Sequence, residues 1–118
     1  MLNINPQEVG NQESFKYLVG AVSPRPIAFV STISKDGINN LSPFSFFNIF
    51  GSNPPVLVFS PSRRGRDNTL KDTYHNLKET NECVVHIVSY DMIEKMNYAS
   101  AEFDSDVDEF EKSGFIGF

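Results

Sequence analysis

Tryptophan is absent from the 118 residues, and cysteine occurs once, at Cys83. A lone thiol excludes an internal disulfide, a cysteine-rich zinc site and an iron–sulfur centre, and it fits a reducing cytoplasm. No apolar run approaches the ~20 residues that span a bilayer. The start MLNINPQEVG lacks the basic and apolar regions of a signal peptide, so neither membrane insertion nor secretion is expected. Walker, dinucleotide-fingerprint, nucleophile-elbow and zinc-protease motifs need glycines or histidines at fixed offsets, and none is present. No proline follows Pro61, and there the texture changes from turns and strands to longer helical stretches.

The composition is 40% hydrophobic with eleven Phe, enough for one compact domain over residues 1–118 and too little for two comfortable cores. The net charge of −5 is uneven. Residues 1–101 hold nine basic and nine acidic side chains, whereas 102–118 hold six acids against Lys112 alone. Negative charge disfavours nucleic acid as a partner. Arg63, Arg64, Arg66 and Lys71 crowd into nine residues opposed only by Asp67, a concentration of donors on which a small anion could dock.

Along the chain, Phe15, Leu18, Val19 and Val22 form one stripe of a short helix over Gln12–Val22. Ile27–Ile33 is rich in β-branched and aromatic residues and is followed by the turn Lys35-Asp36-Gly37, which predicts a strand entering a hairpin. Asn39–Phe50 reads as one bulged strand interrupted by Pro43, and Val56–Phe59 as a buried strand after the turn Asn53-Pro54-Pro55. Asp72 is placed to cap a helix running to about Thr80, Glu82–Val88 is a fourth strand, and Asp91 is placed to cap a second helix through Ala99. Three strands in a meander and a fourth reached through a helix predict an α+β, mainly β, barrel rather than a doubly wound parallel sheet.

Titratable groups offer little. His75 and His86 lie on different elements with no carboxylate beside them in sequence, and both are read as structural. Cys83 opens the fourth strand with nothing cationic beside it and is read as a buried, inert thiol. Asp104-Ser105-Asp106-Val107-Asp108 resembles the start of a calcium loop, but Glu109 stands where glycine must turn and Phe115 where a bidentate Glu is needed. A solvated loop or a helix start is the expectation, and no metal site is assigned. Phe44, Phe46 and Phe47 alternate with Ser42, Ser45 and Asn48, so a planar heteroaromatic ligand would suit this strand, although the same rings could simply fill a core. The cationic Arg63–Thr73 stretch beside a helix start adds a grip for phosphate, or else is an exposed basic loop. Together they suggest a nucleotide-like cofactor.

Five segments in register carry a resemblance. Arg25-Pro-Ile-Ala-Phe-Val-Ser-Thr32, Asn40-Leu-Ser-Pro-Phe-Ser-Phe-Phe-Asn48, Pro54-Pro55 with Phe59-Ser60, Lys71-Asp-Thr73 before an Asn76 helix, and Glu82-Cys-Val-Val-His-Ile-Val88 resemble the flavin reductase-like, FMN-binding split-barrel proteins. The similar branch is that of flavoredoxin and the reductase component of nitrilotriacetate monooxygenase, over roughly residues 14–116. His86, where that branch usually has Asn, and the more basic Arg63–Asn68 loop depart from its pattern.

The resemblance implies a split β-barrel with flanking helices and an FMN lying along Ser45, Phe46, Phe47 and Asn48. Ser31 and Thr32 would stand on the neighbouring strand and Ser60 nearby, with the phosphate held by Arg66, Lys71, Asp72 and Thr73. It implies an NAD(P)H-dependent flavin reductase, working as a homodimer that supplies reduced flavin or electrons to an oxygenase or other acceptor protein. The alternative it leaves is a non-enzymatic FMN electron carrier. The absence of a catalytic triad is then expected, because the cofactor carries the chemistry. Members of the branch continue beyond the position of Phe118, so the chain is expected to be an N-terminal portion whose barrel is incomplete and whose sheet keeps an unpaired edge.

Overall fold

The computed structural model of the chain describes Met1 and residues 3–116. Helix α1 spans Pro6–Ala21, so it begins before the expected Gln12. Asn5 caps it by accepting from the Gln7 N–H at 3.1 Å, and Pro6 occupies the first turn, where its missing N–H costs nothing. Gly10, at φ 76°, kinks the helix, so the expected segment is the straight part beyond the break. Phe15, Leu18 and Val22 remain exposed along that part.

Five strands follow the expected regions with two corrections. β1 (Ala28–Ile33), β2 (Asn39–Phe44), β4 (Pro55–Phe59) and β5 (Val84–Ile87) stand where strands were expected, while the single bulged strand over Asn39–Phe50 is in fact two, β2 and β3 (Phe47–Ser52). The chain changes sheets at Ser45-Phe46: Phe44 still pairs with Ala28 of β1, but the Phe46 carbonyl already accepts from Ser60 N at 2.9 Å, at the far end of β4. Arg25 fixes this corner, donating Nε to Ser45 Oγ (3.3 Å) and Nη1 to the Val19 and Val22 carbonyls near the end of α1. The bulge lies further on, between Ile49 and Gly51. A Cβ on Gly51 would come within 3.0 Å of the Pro54 carbonyl, so the hairpin needs glycine there.

Among the described residues two antiparallel sheets result, one of order β2-β1-β5 and the other the β3–β4 hairpin, and these strands do not close into a barrel. The alternation along β1 divides the first sheet into two faces. On one face Phe29 and Leu41 pack with Ala99 and Phe110 from the C-terminal helices. On the other, Ala28, Val30 and Phe44 meet Phe47 and Phe59 of the hairpin, with Phe44 and Phe59 stacked 5.4 Å apart.

Helix α2 spans Asp72–Thr80 as expected, but its cap residue is Lys71, whose side chain makes no capping bond, while Asp72 turns instead to Arg64. Asp91 likewise caps nothing. It lies inside a 3-10 turn, Tyr90–Met92, and accepts from Ser89 Oγ, so α3 (Ile93–Ala99) starts on Met92. The acidic stretch ends in a helix start, with Asp108 Oδ1 accepting from Phe110 N and Glu111 N to cap α4 (Glu109–Ser113). Cys83 is exposed, because β5 pairs only from Val84 onward and leaves the thiol on the preceding loop; partial burial nonetheless pushes its pKa up. Among the described residues no helix is long and apolar enough to cross a membrane.

Phe29 is 1% exposed and joins the sheet to α3 and α4. Phe29→Ala should therefore lower unfolding stability by ~3–5 kcal/mol, the usual cost of emptying a buried aromatic site. Urea titration of both proteins checks this; a loss below ~1 kcal/mol would mean that the two helices are not held through this ring.

Candidate functional site

The sheet change at Ser45-Phe46 opens a groove of about 850 Å³ between α1, the β2–β3 corner and the loop 60–71. Phe15 and Phe46 form one aromatic wall, edge to face with ring centroids 6.0 Å apart, and Phe44 lies nearer the core. Ser45 and Ser60 add hydroxyls, and Arg63 and Lys71 add positive charge at the α2 end.

Lys71 is the unusual group. It is half-buried, its Nζ sits 5.3 Å from the centroid of Phe44, and no carboxylate lies within 4.0 Å of it among the described residues. Burial pushes its pKa below the usual lysine value. A cation half out of water, with Glu102 attracting it only from beyond 4.0 Å and Arg64 opposing, is costly, and an anionic ligand would lower that cost. The N–H groups of the first α2 turn, which carry no side-chain cap, stand beside it and would act in the same sense. The donor set thus fits a flat aromatic ligand with an anionic end.

Of the residues singled out in the sequence, Ser45, Phe46, Ser60 and Lys71 line this groove. Phe47 packs behind it against the Phe44 cluster, and Asn48 is exposed on β3, its Oδ1 accepting from Ile49 N at 2.8 Å. Arg66 does not share the groove; its guanidinium reaches Asp67 (3.4 Å) and Glu102 (3.7 Å). Asp72 forms an ion pair with Arg64, which raises the Arg64 pKa further. Thr32 and Thr73 are buried, and both hydroxyls donate to Asn40 Oδ1, at 3.3 and 2.6 Å. Ser31 lies on the opposite face of the sheet, with Oγ 3.0 Å from His86 Nε2 in a second groove of about 720 Å³. Alternation along β1 is the reason: the side chains of adjacent strand residues point to opposite faces of the sheet.

Three residues that matter were given no role from the sequence. Arg25 organises the groove's corner through its bonds to Ser45 and the end of α1. Asn40 accepts from Thr32 and Thr73 and donates Nδ2 to both oxygens of Glu109, at 2.8 and 2.9 Å. Glu109, 6% exposed, also accepts from Leu41 N at 2.9 Å. Burial pushes its pKa up to about 7, against the opposing pull of the Leu41 and Asn40 donors. Its partners are 68 and 69 residues away, so no motif within a window could have revealed it.

A family model described as "Flavin reductase like domain" matches residues 20–116. An uncharacterized protein of Aquifex aeolicus (strain VF5) is 52% identical over 108 residues, covering 92% of this chain and 55% of that protein. Among solved structures, nitrilotriacetate monooxygenase component B from Bacillus cereus is similar with a TM-score of 0.89 and 37% identity, over 97% of this chain and 55% of its own. The 2-nitrobenzoate 2-nitroreductase of Pseudomonas fluorescens gives 0.83 and 30%, over 98% and 53%. The chain therefore spans about half the length of these proteins.

Glu109 makes stability depend on pH. Its folded-state pKa of about 7 stands above the ordinary 4.5, so between these values the folded chain keeps a proton that the unfolded chain has lost. The stability this contributes is complete below about 4.5 and is lost as pH rises through about 7. The expected result is a melting temperature that falls across this window in the native protein and flattens in Glu109→Gln. Parallel profiles for the two proteins would contradict it.

Proposed function

The chain belongs to the flavin reductase-like domain family and has its split-barrel fold, and from that premise we propose that it is an FMN-binding oxidoreductase of the NAD(P)H:flavin reductase type. The observation that carries the proposal is the half-buried, unpaired Lys71 at the start of α2, at one end of a groove walled by Phe46 and Phe15. A phosphate would meet Lys71 and the uncapped N–H groups of Asp72 and Thr73, and a planar ring would lie against Phe46 beside the Ser45 and Ser60 hydroxyls.

FMN, when bound, would supply two-electron chemistry between a reduced nicotinamide nucleotide and an acceptor. The chain's own residues bind and orient. Arg25 locks the corner that carries Ser45 and Phe46, and the Arg64–Asp72 ion pair holds the α2 start. The work of such a protein is to pass reduced flavin or electrons to a partner, an oxygenase or another acceptor, in the cytoplasm. Similarity to a monooxygenase component, that of Bacillus cereus, supports the oxygenase reading.

A homodimer belongs to the same proposal. Ile49 and Phe50 on β3 are 69% and 70% exposed, and Leu57 on β4 is also open, an apolar surface that a second subunit would cover. Light scattering at micromolar concentration should give twice the chain mass; a monomer with FMN bound would contradict the dimer alone.

Rapid mixing with NADH or NADPH under anaerobic conditions tests the activity: bleaching of the flavin bands supports a reductase, and an unchanged spectrum leaves the electron carrier. The phosphate site is tested by Lys71→Glu. It should weaken FMN ~10–100-fold, the worth of a charge-assisted hydrogen bond, while riboflavin, which lacks the anion, changes little. Equal losses for the two flavins in a fluorescence titration would discard the Lys71 assignment.

A further inference from the structure

We propose that Glu109 is a positioning residue for this site: through Asn40 and Thr73 its proton sets how strongly the α2 start holds the flavin's phosphate. The proposal rests on the FMN reading above and adds a regulation to it.

The donors of the buried network all run one way. Asn76 Nδ2 donates to Thr32 Oγ1 (3.0 Å), Thr32 and Thr73 donate to Asn40 Oδ1, and Asn40 Nδ2 with Leu41 N donates to Glu109. A carboxylate at the end of the chain imposes this direction, because it only accepts. With its amine turned to Glu109, Asn40 must present its carbonyl to Thr73, and the Thr73 hydrogen is consumed inside the protein.

A carboxylic acid has a hydrogen to place, and the polar group already against it is the Asn40 amide. Turning that amide over satisfies both ends: Oδ1 accepts from Glu109, and Nδ2 donates to the Thr32 and Thr73 oxygens, while the Asn76 amide turns with it so that its Oδ1 accepts the Thr32 hydrogen. Leu41 N keeps the other carboxyl oxygen. The Thr73 hydrogen is then released into a small polar cavity, about 30 Å³ and so roomy enough for one water, which borders the groove at Lys71 and Arg64 and would pass the donor on to an anion held there. Protonation therefore adds one donor at the α2 start and removes one negative charge there. Both changes favour an anion, and linkage requires that a bound anion in turn favour the proton.

Neighbouring charges bear on the same carboxyl. Asp72 on α2 and Glu102 on the loop after α3 line the small cavity with Arg64 and Lys71, and Asp72 raises the Glu109 pKa. Across a second cavity of about 450 Å³ stand Asp36, Asp104 and Asp106, with His75 of α2. Asp108 caps α4, the helix that Glu109 begins, and accepts from Asn39 Nδ2 at 2.8 Å. Because the FMN phosphate itself also changes charge near neutral pH, the test must isolate Glu109.

FMN and riboflavin affinities are measured by flavin fluorescence across about pH 5.5–8.5, bracketing the Glu109 titration, for the native chain, Glu109→Gln and Thr73→Val. In the native chain the preference for FMN over riboflavin should fall ~tenfold more with rising pH than in Glu109→Gln, a change the size of one charge-assisted hydrogen bond. The glutamine amide donates to Asn40 as the protonated acid does, so that variant should keep the high preference throughout, whereas Thr73→Val should keep the low one. A preference with the same pH profile in native and Glu109→Gln overturns the relay and leaves the flavin reading intact. No binding of either flavin at any pH overturns the flavin reading itself, and the regulation with it. Carboxyl NMR of the native chain needs no variant to fold: the Glu109 titration should move to higher pH when FMN is added, and an unmoved titration at saturating FMN overturns the relay.

Discussion

A carboxylate with almost no access to water, held by three hydrogen bonds, is the constraint on which the C-terminal half of this structure depends. Glu109 begins a helix of only five residues, too short to be stable alone, and it fastens that helix to the Asn40-Leu41 backbone and side chain of β2. Asp108, one residue earlier, caps the helix and takes the Asn39 amide as well. The adjacent asparagines of β2 thus hold adjacent acids of α4. Phe110 is thereby delivered to the Phe29–Leu41 cluster, whose burial supplies the apolar part of the contact. A buried charge is a poor source of net stability but a stringent selector of geometry, since any misplacement leaves it unpaired.

Asn40 extends that constraint to the other side of the sheet. Its carbonyl receives Thr73 from α2 and Thr32 from β1, and Thr32 receives Asn76 from the next turn of α2. Helix α2 therefore rests on a polar base rather than a greasy one: its buried residues are Thr73 and Asn76. Polar packing fixes the rotation of the helix about its axis, because hydrogen bonds tolerate less error in direction than methyl contacts do. The helix start, and with it Lys71, is positioned by this network together with the Arg64–Asp72 pair.

The apolar surface is distributed unevenly. The β1–β2 part of the first sheet is covered on both faces, while β3, β4 and β5 expose Ile49, Phe50, Leu57, Val84 and Ile87. The groove lies where the covered and uncovered regions meet, at the corner where β2 ends and β3 begins. Changing sheets at Ser45-Phe46 releases those residues from ladder pairing with β1 and leaves Phe46 free to face Phe15. One local event, a strand leaving its partner, thus makes the second sheet and the aromatic wall together.

Sequence by itself determined the family, most of the elements in their order, and four of the residues that line the groove. The β-branched run before Lys35-Asp36-Gly37, the apolar Val56–Phe59, and the α2 helix from Asp72 to Thr80 all follow from local propensity and periodicity, which act within a few residues. Ser45, Phe46, Ser60 and Lys71 were legible because they cluster in segments that stay together. Tertiary structure decided what distant partners control. It broke Asn39–Phe50 into two strands, since Ser60 and Arg25 compete for the corner, and it transferred the α2 cap from Asp72 to Lys71, since Arg64 claims the Asp72 carboxylate. It turned Ser31 toward His86 and buried Thr73 against Asn40. Glu109 was invisible for the same reason: a carboxylate becomes unusual only when burial and partners 68 and 69 residues away surround it, and neither exists until the chain has folded.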